Sequence, residues 1–343
     1  MPIYDKGYRR WQGELRGRFY RWFTIARAGI RQSGKGKWLR RFILIAWMPL
    51  LYYGLVFFVV GQLTTVESME KAQSMWQFQV LRGMFSRPLI ESFIADPASF
   101  RLTIWSILIH FFMHYTQIFC VMIVVAIVGP KLISEDIKTR ALSVYFSRPL
   151  TRVDYVVGKL AVVSFWVGAV TLLPSLALYF LSIAFSPGFD TLAQTLIIVP
   201  KIVTYSLLLM LGCGLVMLAL SSMIRNPRFL GFAWAGFWVM TSVASNMLSQ
   251  ALFPRIGSSS EASVKGDWTG MLSFSANFDA VGLRLFNIEA LAEPAAQQDE
   301  KVRELLNRLT YGHDWGWSLL IVAGLAVISA FVIFHRIGKA EEG

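Results

Sequence analysis

Long runs of apolar residues, separated by short polar and basic stretches, set the pattern of this chain. Six of them reach the roughly 20 residues that an α-helix needs to cross about 30 Å of hydrocarbon. They cover residues 42–62, 102–128, 155–185, 200–223, 229–253 and 315–335. The third contains Pro174, which kinks or breaks a helix unless neighbours satisfy the freed carbonyl. Residues 191–199 are also apolar, but they lie between Pro187-Gly188 and Pro200 and read as a short outer-leaflet segment. The pattern predicts an all-α integral membrane protein with six transmembrane helices in residues 42–335.

A second helical period runs through the N-terminal arm, residues 1–41. At 100° per residue, Leu15, Phe19, Trp22, Phe23, Ala26 and Ile30 share one sector, while Arg16, Arg18, Arg21, Arg27 and Arg31 take the other. This predicts an interfacial amphipathic helix, with Arg16, Phe19, Trp22 and Phe23 at the membrane interface and the arginines toward anionic lipid. Ser33-Gly34-Lys35-Gly36 then turns the chain into the first span. Two further connections are long. Residues 63–101 carry Met69, Ala72, Trp76, Val80 and Met84 at helical spacing. Residues 254–314 are acidic and carry Val302, Leu305, Leu306 and Leu309 on one face of a short helix. The latter loop is long enough to cap one mouth of the bundle, and a plain spacer fits its length equally well. Residues 336–343 form a short tail.

Composition agrees with the pattern: 55% of the 343 residues are hydrophobic, far above a soluble domain. The net charge of +12 does not point to nucleic acid, because the basic residues cluster at span boundaries. Counting lysines and arginines, the side holding both termini, residues 129–159 and the turn at Arg225 and Arg228 carries 22 of them; the other side carries 11. The richer side is expected to be cytoplasmic, giving a multi-pass protein of the inner (plasma) membrane with both termini inside. Trp268, Trp315 and Trp317 then fall at the outer interface. The first apolar run follows some forty residues rich in arginine, too long and too basic a leader for a cleavable signal peptide. Cys120 and Cys213 lie inside apolar runs and read as buried hydrophobes, not as a disulfide.

Candidate chemistry falls in two places. Within the spans, His110 and His114 stand at i and i+4 with Gln117 close in projection, and Asn246 and Gln250 stand one turn apart in the fifth span. Polar groups in hydrocarbon mark pathways or join helices, so these five are translocation-path candidates. Neither a carboxylate nor a cysteine shares the face of the histidine pair, and no metal site is expected there. Gly212, Gly214, Gly231 and Ala235 are expected to permit close helix approach.

The other place is the insert at 129–159, between the second and third runs. Leu132, Ile133, Ile137, Ala141, Leu142 and Tyr145 are spaced for one side of a helix, decorated by Glu135, Asp136, Lys138 and Arg140 and closed by Ser147-Arg148-Pro149. A short stiff helix tied to two spans transmits a push, which a floppy loop does not.

In its residues the insert resembles the ABC-2 type transporter permeases. Gly129, Leu132-Ile133-Ser134, Glu135-Asp136, Leu142, Ser147-Arg148-Pro149-Leu150 and Gly158-Lys159 follow that family's order and spacing. Arg140-Ala141 departs from it, standing where the family has Gly-Thr. The resemblance implies an ABC-2, type V exporter-like permease that works as a homodimer or heterodimer with two copies of a cytoplasmic ABC ATPase. It implies that the insert is the coupling helix, with Leu132, Ile133, Glu135, Asp136, Lys138, Arg140, Leu142, Tyr145 and Arg148 facing the ATPase. The chain has no G-x-x-x-x-G-K-[ST] phosphate loop, so ATP and Mg are expected on the partner, with no cofactor and no catalytic residue in this chain. The alternative from another class is a mechanotransmission or envelope-assembly component that moves no substrate and acts on an envelope partner through residues 254–314.

Overall fold

A computed structural model describes residues 17–63, 96–147, 150–186, 190–224, 226–253, 267–298, 303, 306 and 311–342. The amphipathic stretch around residues 69–84, Leu15, Arg16, Arg148, Arg225 and most of the helix expected over 297–309 lie outside these residues. The described residues are predominantly helical, with no strand among them. Five helices are long and apolar enough to cross a membrane: Lys37–Gly61, Arg101–Lys138, Arg152–Ala184, Thr191–Met223 and Trp315–Lys339. The remaining expected span, the fifth in chain order, also forms a helix, Pro227–Leu252. It spans about 39 Å at 1.5 Å per residue, but Thr241, Ser242, Ser245, Asn246 and Ser249 make it more polar than the others.

Helix α1 (Arg18–Ser33) is the predicted amphipathic helix. Its apolar side packs only in part, against the third span. Ile25, Ala26 and Ile30 turn inward, whereas Phe19 and Phe23 stay exposed. Helix α2 (Lys37–Leu63) carries Pro49 in its interior. The next span is built from α3 (Pro97–Phe111), a five-residue π-turn (Phe112–Thr116) and α4 (Gln117–Val128). The insert contains α5 (Pro130–Lys138) and α6 (Ala141–Phe146).

The third span starts where Thr151 and Asp154 form a capping box, each side chain bonding the other's backbone N–H at 3.1 and 3.2 Å. Such reciprocal bonds satisfy donors that a helix start leaves open. The span divides at Thr171 into α7 (Arg152–Val170) and α8 (Leu172–Ala184), as Pro174 predicts. Around that break Thr171 Oγ1 donates to Val167 O, and the Trp47 indole of α2 donates to Ala169 O at 2.9 Å. A neighbouring helix thus takes up a carbonyl beside the break.

A short α9 (Asp190–Thr195) leads into α10 (Ile198–Met223), with Pro200 in its first turn, where no intrahelical N–H is needed. Asn226 caps α11 (Pro227–Leu252) by accepting from the Arg228 N–H. Beyond it, residues 254–314 are not a plain spacer. A 3₁₀ turn (Thr269–Leu272) is followed by α12 (Phe274–Phe286) and α13 (Ile288–Gln298). The chain closes with α14 (Trp315–Glu342).

Helix α12 is buried against the spans. Phe274, Phe278 and Phe286 lie inside the core, and Phe278 nests on Gly212 of α10, where an added Cβ would come within 2.7 Å of its ring. Gly214, in the same helix, makes equally close room for Leu160. Both glycines act as the sequence predicts, whereas Gly231 has looser surroundings.

Candidate functional site

Two regions concentrate polar chemistry, one at each end of the bundle. At the insert end, α4 passes into α5 through Gly129, where a Cβ would lie 2.2 Å from Met217 Cγ of α10. Only glycine permits so close an approach. Helix α5 is then fastened to α10 by Ser221, whose Oγ accepts from the Ile133 and Ser134 N–H groups at 3.2 Å and donates to Pro130 O. Ser134 Oγ also donates to Pro130 O. A second fastening reaches α7. Asp136 Oδ2 takes the Lys159 ammonium and the Tyr155 hydroxyl, both at 2.7 Å. The charged pair is largely buried, with side chains 14% and 13% exposed.

These contacts explain why the motif residues belong together. Gly158 lets α1 cross α7, since a Cβ there would sit 3.0 Å from Trp22 O, and its neighbour Lys159 holds Asp136. Leu132, Ile133 and Leu142 are buried; Glu135 is half-buried, and Lys138, Arg140 and Tyr145 are exposed. Asp136 is therefore engaged within the chain, whereas its neighbours face outward. Burial, then the charge of Asp136, raises the Tyr145 hydroxyl above the usual tyrosine range. Lys131, Glu135, Lys138, Asn226, Pro227 and Arg228 line a groove of about 630 Å³ between α5 and the start of α11.

The expected single helix over 132–146 is in fact two. Thr139 ends α5, and Arg140 takes a left-handed backbone with φ of 53°. That conformation is freely available to glycine and costs other residues roughly 1–2 kcal/mol. Here an arginine adopts it, at the Arg140-Ala141 step.

At the far end, the histidine pair acquires the carboxylate that its own helix lacks. Asp279 of α12 stands 2.9 Å from His110 Nε2 and 3.6 Å from His114 Nε2 through Oδ1. Its Oδ2 accepts from the Tyr115 hydroxyl at 3.1 Å and the Tyr311 hydroxyl at 2.8 Å. The two imidazoles stack, with centroids 5.9 Å apart, and His114 Nδ1 meets the Tyr205 hydroxyl at 2.9 Å. The π-turn at 112–116 follows His110 and itself carries His114 and Tyr115. Its wider turn aims His114 and Tyr115 together at the partner that His110 already touches. Burial, then the charge of Asp279, raises the Tyr311 hydroxyl well above its ordinary range, so it remains a donor. Burial lowers His313, whose Nε2 pairs with Ser318 Oγ at 2.8 Å.

A polar cavity of about 260 Å³ opens beside this cluster. Its wall combines Ser242, Ser245, Asn246 and Ser249, one stripe of α11, with Asp267, Ser273, Ser275, Tyr115, His114, Asp279 and Tyr311. Of the five path candidates, His114 and Asn246 line it. His110 lies behind Asp279 at 0% exposure, and Gln117 donates to Ala46 O of α2, where it joins helices. Gln250 is exposed and does not line the cavity. Asp279 was beyond sequence reasoning because it stands 169 residues from His110. Among the described residues, no group of three or more His, Cys, Asp and Glu is arranged to hold a metal ion. No protein-family model matches the chain, and no curated protein matches it.

Proposed function

We propose that this chain is the membrane-spanning subunit of an ATP-binding-cassette exporter with ABC-2 permease architecture. Its six spans include α11, and the insert end faces the cytoplasm. Two copies of a separate ATPase dock on that end, and a second permease copy completes the transporter. The observation that carries this proposal is the build of the insert. Helices α5 and α6 present Glu135, Lys138, Arg140 and Tyr145 outward, while Ser221 and the Asp136–Lys159 pair fix α5 to two different spans. A push on the exposed side is then delivered to α7 and α10 together. The 630 Å³ groove carries Lys131, Lys138 and Arg228 against one carboxylate, Glu135, and so favours an acidic surface on the ATPase.

The second function, mechanotransmission without cargo, is favoured by the bonding of α12 to the second span through Asp279. That bonding links residues 254–314 mechanically to the bundle. Reconstitution of the complex in vesicles separates the two. Nucleotide-dependent flux of an amphiphilic dye is expected of the exporter. Partner-dependent ATP hydrolysis with no flux of any tested cargo would overturn the exporter in favour of the second function.

A further inference from the structure

The far-end cavity has an unusual balance of hydrogen-bonding groups. Its hydroxyl donors are mostly committed inward: Tyr115 and Tyr311 donate to Asp279, Ser245 donates to Thr269 O at 2.8 Å, and Ser249 donates to Asp267 at 2.7 Å. Thr269 also gives its hydroxyl to Asp267. Ser242, Ser273 and Ser275 lie 3.2–3.3 Å from one another. A hydroxyl that donates inward still has lone pairs to offer. The wall therefore presents mainly acceptors, among them the Asp267 carboxylate, while Asp279 is already filled by His110, Tyr115 and Tyr311. Among the described residues no lysine or arginine lines it. Apart from the amide of Asn246, a neutral ligand or an anion would find few donors here, whereas a cation bearing N–H groups would find acceptors on several sides. Charge-assisted bonds of that type are the strong ones. At about 260 Å³ the space is below the roughly 300–1,000 Å³ of pockets for drug-sized ligands, and suits a head group.

We propose that this cavity binds a protonated primary amine, its ammonium held by Asp267 and the Ser242–Ser275 cluster. The amine belongs either to a small soluble molecule or to the head group of an aminophospholipid. As a cargo site the cavity rests on the exporter proposal; as a binding site it does not, so binding is measured without nucleotide or ATPase.

The test uses the full chain in phosphatidylcholine nanodiscs, titrated calorimetrically at pH 7 with hexylamine, hexanol and hexanoate. Hexylamine is expected to bind saturably, about tenfold or more tighter than hexanol, with no binding of hexanoate. Asp267→Asn keeps the side chain's shape and is expected to weaken hexylamine about tenfold. The Ser242→Ala/Ser275→Ala double variant should weaken it as well, and serves if Asp267→Asn does not fold. Added phosphatidylethanolamine abolishes hexylamine binding if the lipid head group is the natural occupant, and leaves it unchanged if the occupant is soluble. Equal affinity for hexanol, or hexylamine affinity untouched by both variants, would overturn the assignment. Loss of ATP-driven flux with amine binding intact would remove the exporter proposal and leave this one standing.

Discussion

Asp279 illustrates how much one side chain can organise inside a membrane protein. It is 2% exposed, and a carboxylate in such a place survives only if its lone pairs are filled. His110, Tyr115 and Tyr311 fill them, with His114 close behind. Removing the carboxylate strands one fully buried donor, His110, and two part-buried ones, Tyr115 and Tyr311, at about 1–3 kcal/mol each. Asp279→Ala is thus expected to lower stability by about 3 kcal/mol or more, read from thermal unfolding of the purified protein in detergent. Asp279→Asn should cost clearly less, since its amide oxygen still accepts; an unshifted transition in Asp279→Ala would show that the carboxyl group organises nothing. In the sequence, the spacing of His110 and His114 marked the span as unusual, yet their partner could not be read there. The same is true of Asp136 and Glu135. Both lie on the polar side of the insert helix, and only the position of Lys159 determines which one turns inward.

At the level of elements, legibility followed the range of the forces. Apolar runs, the break at Pro174 and the amphipathic α1 all depend on neighbours a few residues apart, and each was visible in the chain. The π-turn at 112–116 and the burial of α12 depend on distant packing and were not. Residues 254–314 read as loop because their acidic, polar character disguises the apolar face of 274–286. That face needs close approach to the second span. At Gly282 an added Cβ would come within 2.6 Å of His110 Cε1 and 2.9 Å of Tyr205 Cε2. Gly282→Ala is therefore expected to push α12 outward and cost about 1–3 kcal/mol, measured by the same thermal unfolding. An unshifted transition would mean that α12 does not seat against these residues.

Over the whole molecule, the two polar regions are joined through shared helices. The second span carries His110 and His114 and continues through Gly129 into α5. Helix α10 carries Tyr205 toward the far cluster and Ser221 toward the insert. Movement of the insert would thus reach the far cavity through these two shared elements, as the proposed transporter requires. Co-purification with the proposed partner ATPase tests this most directly, using a triple charge reversal at Glu135, Lys138 and Arg228 that leaves the internal Asp136–Lys159 pair intact. The account predicts that the variant inserts and folds like the parent but binds the ATPase at least about tenfold more weakly, with coupled hydrolysis lost. Unaltered ATPase binding and hydrolysis in that variant would contradict it.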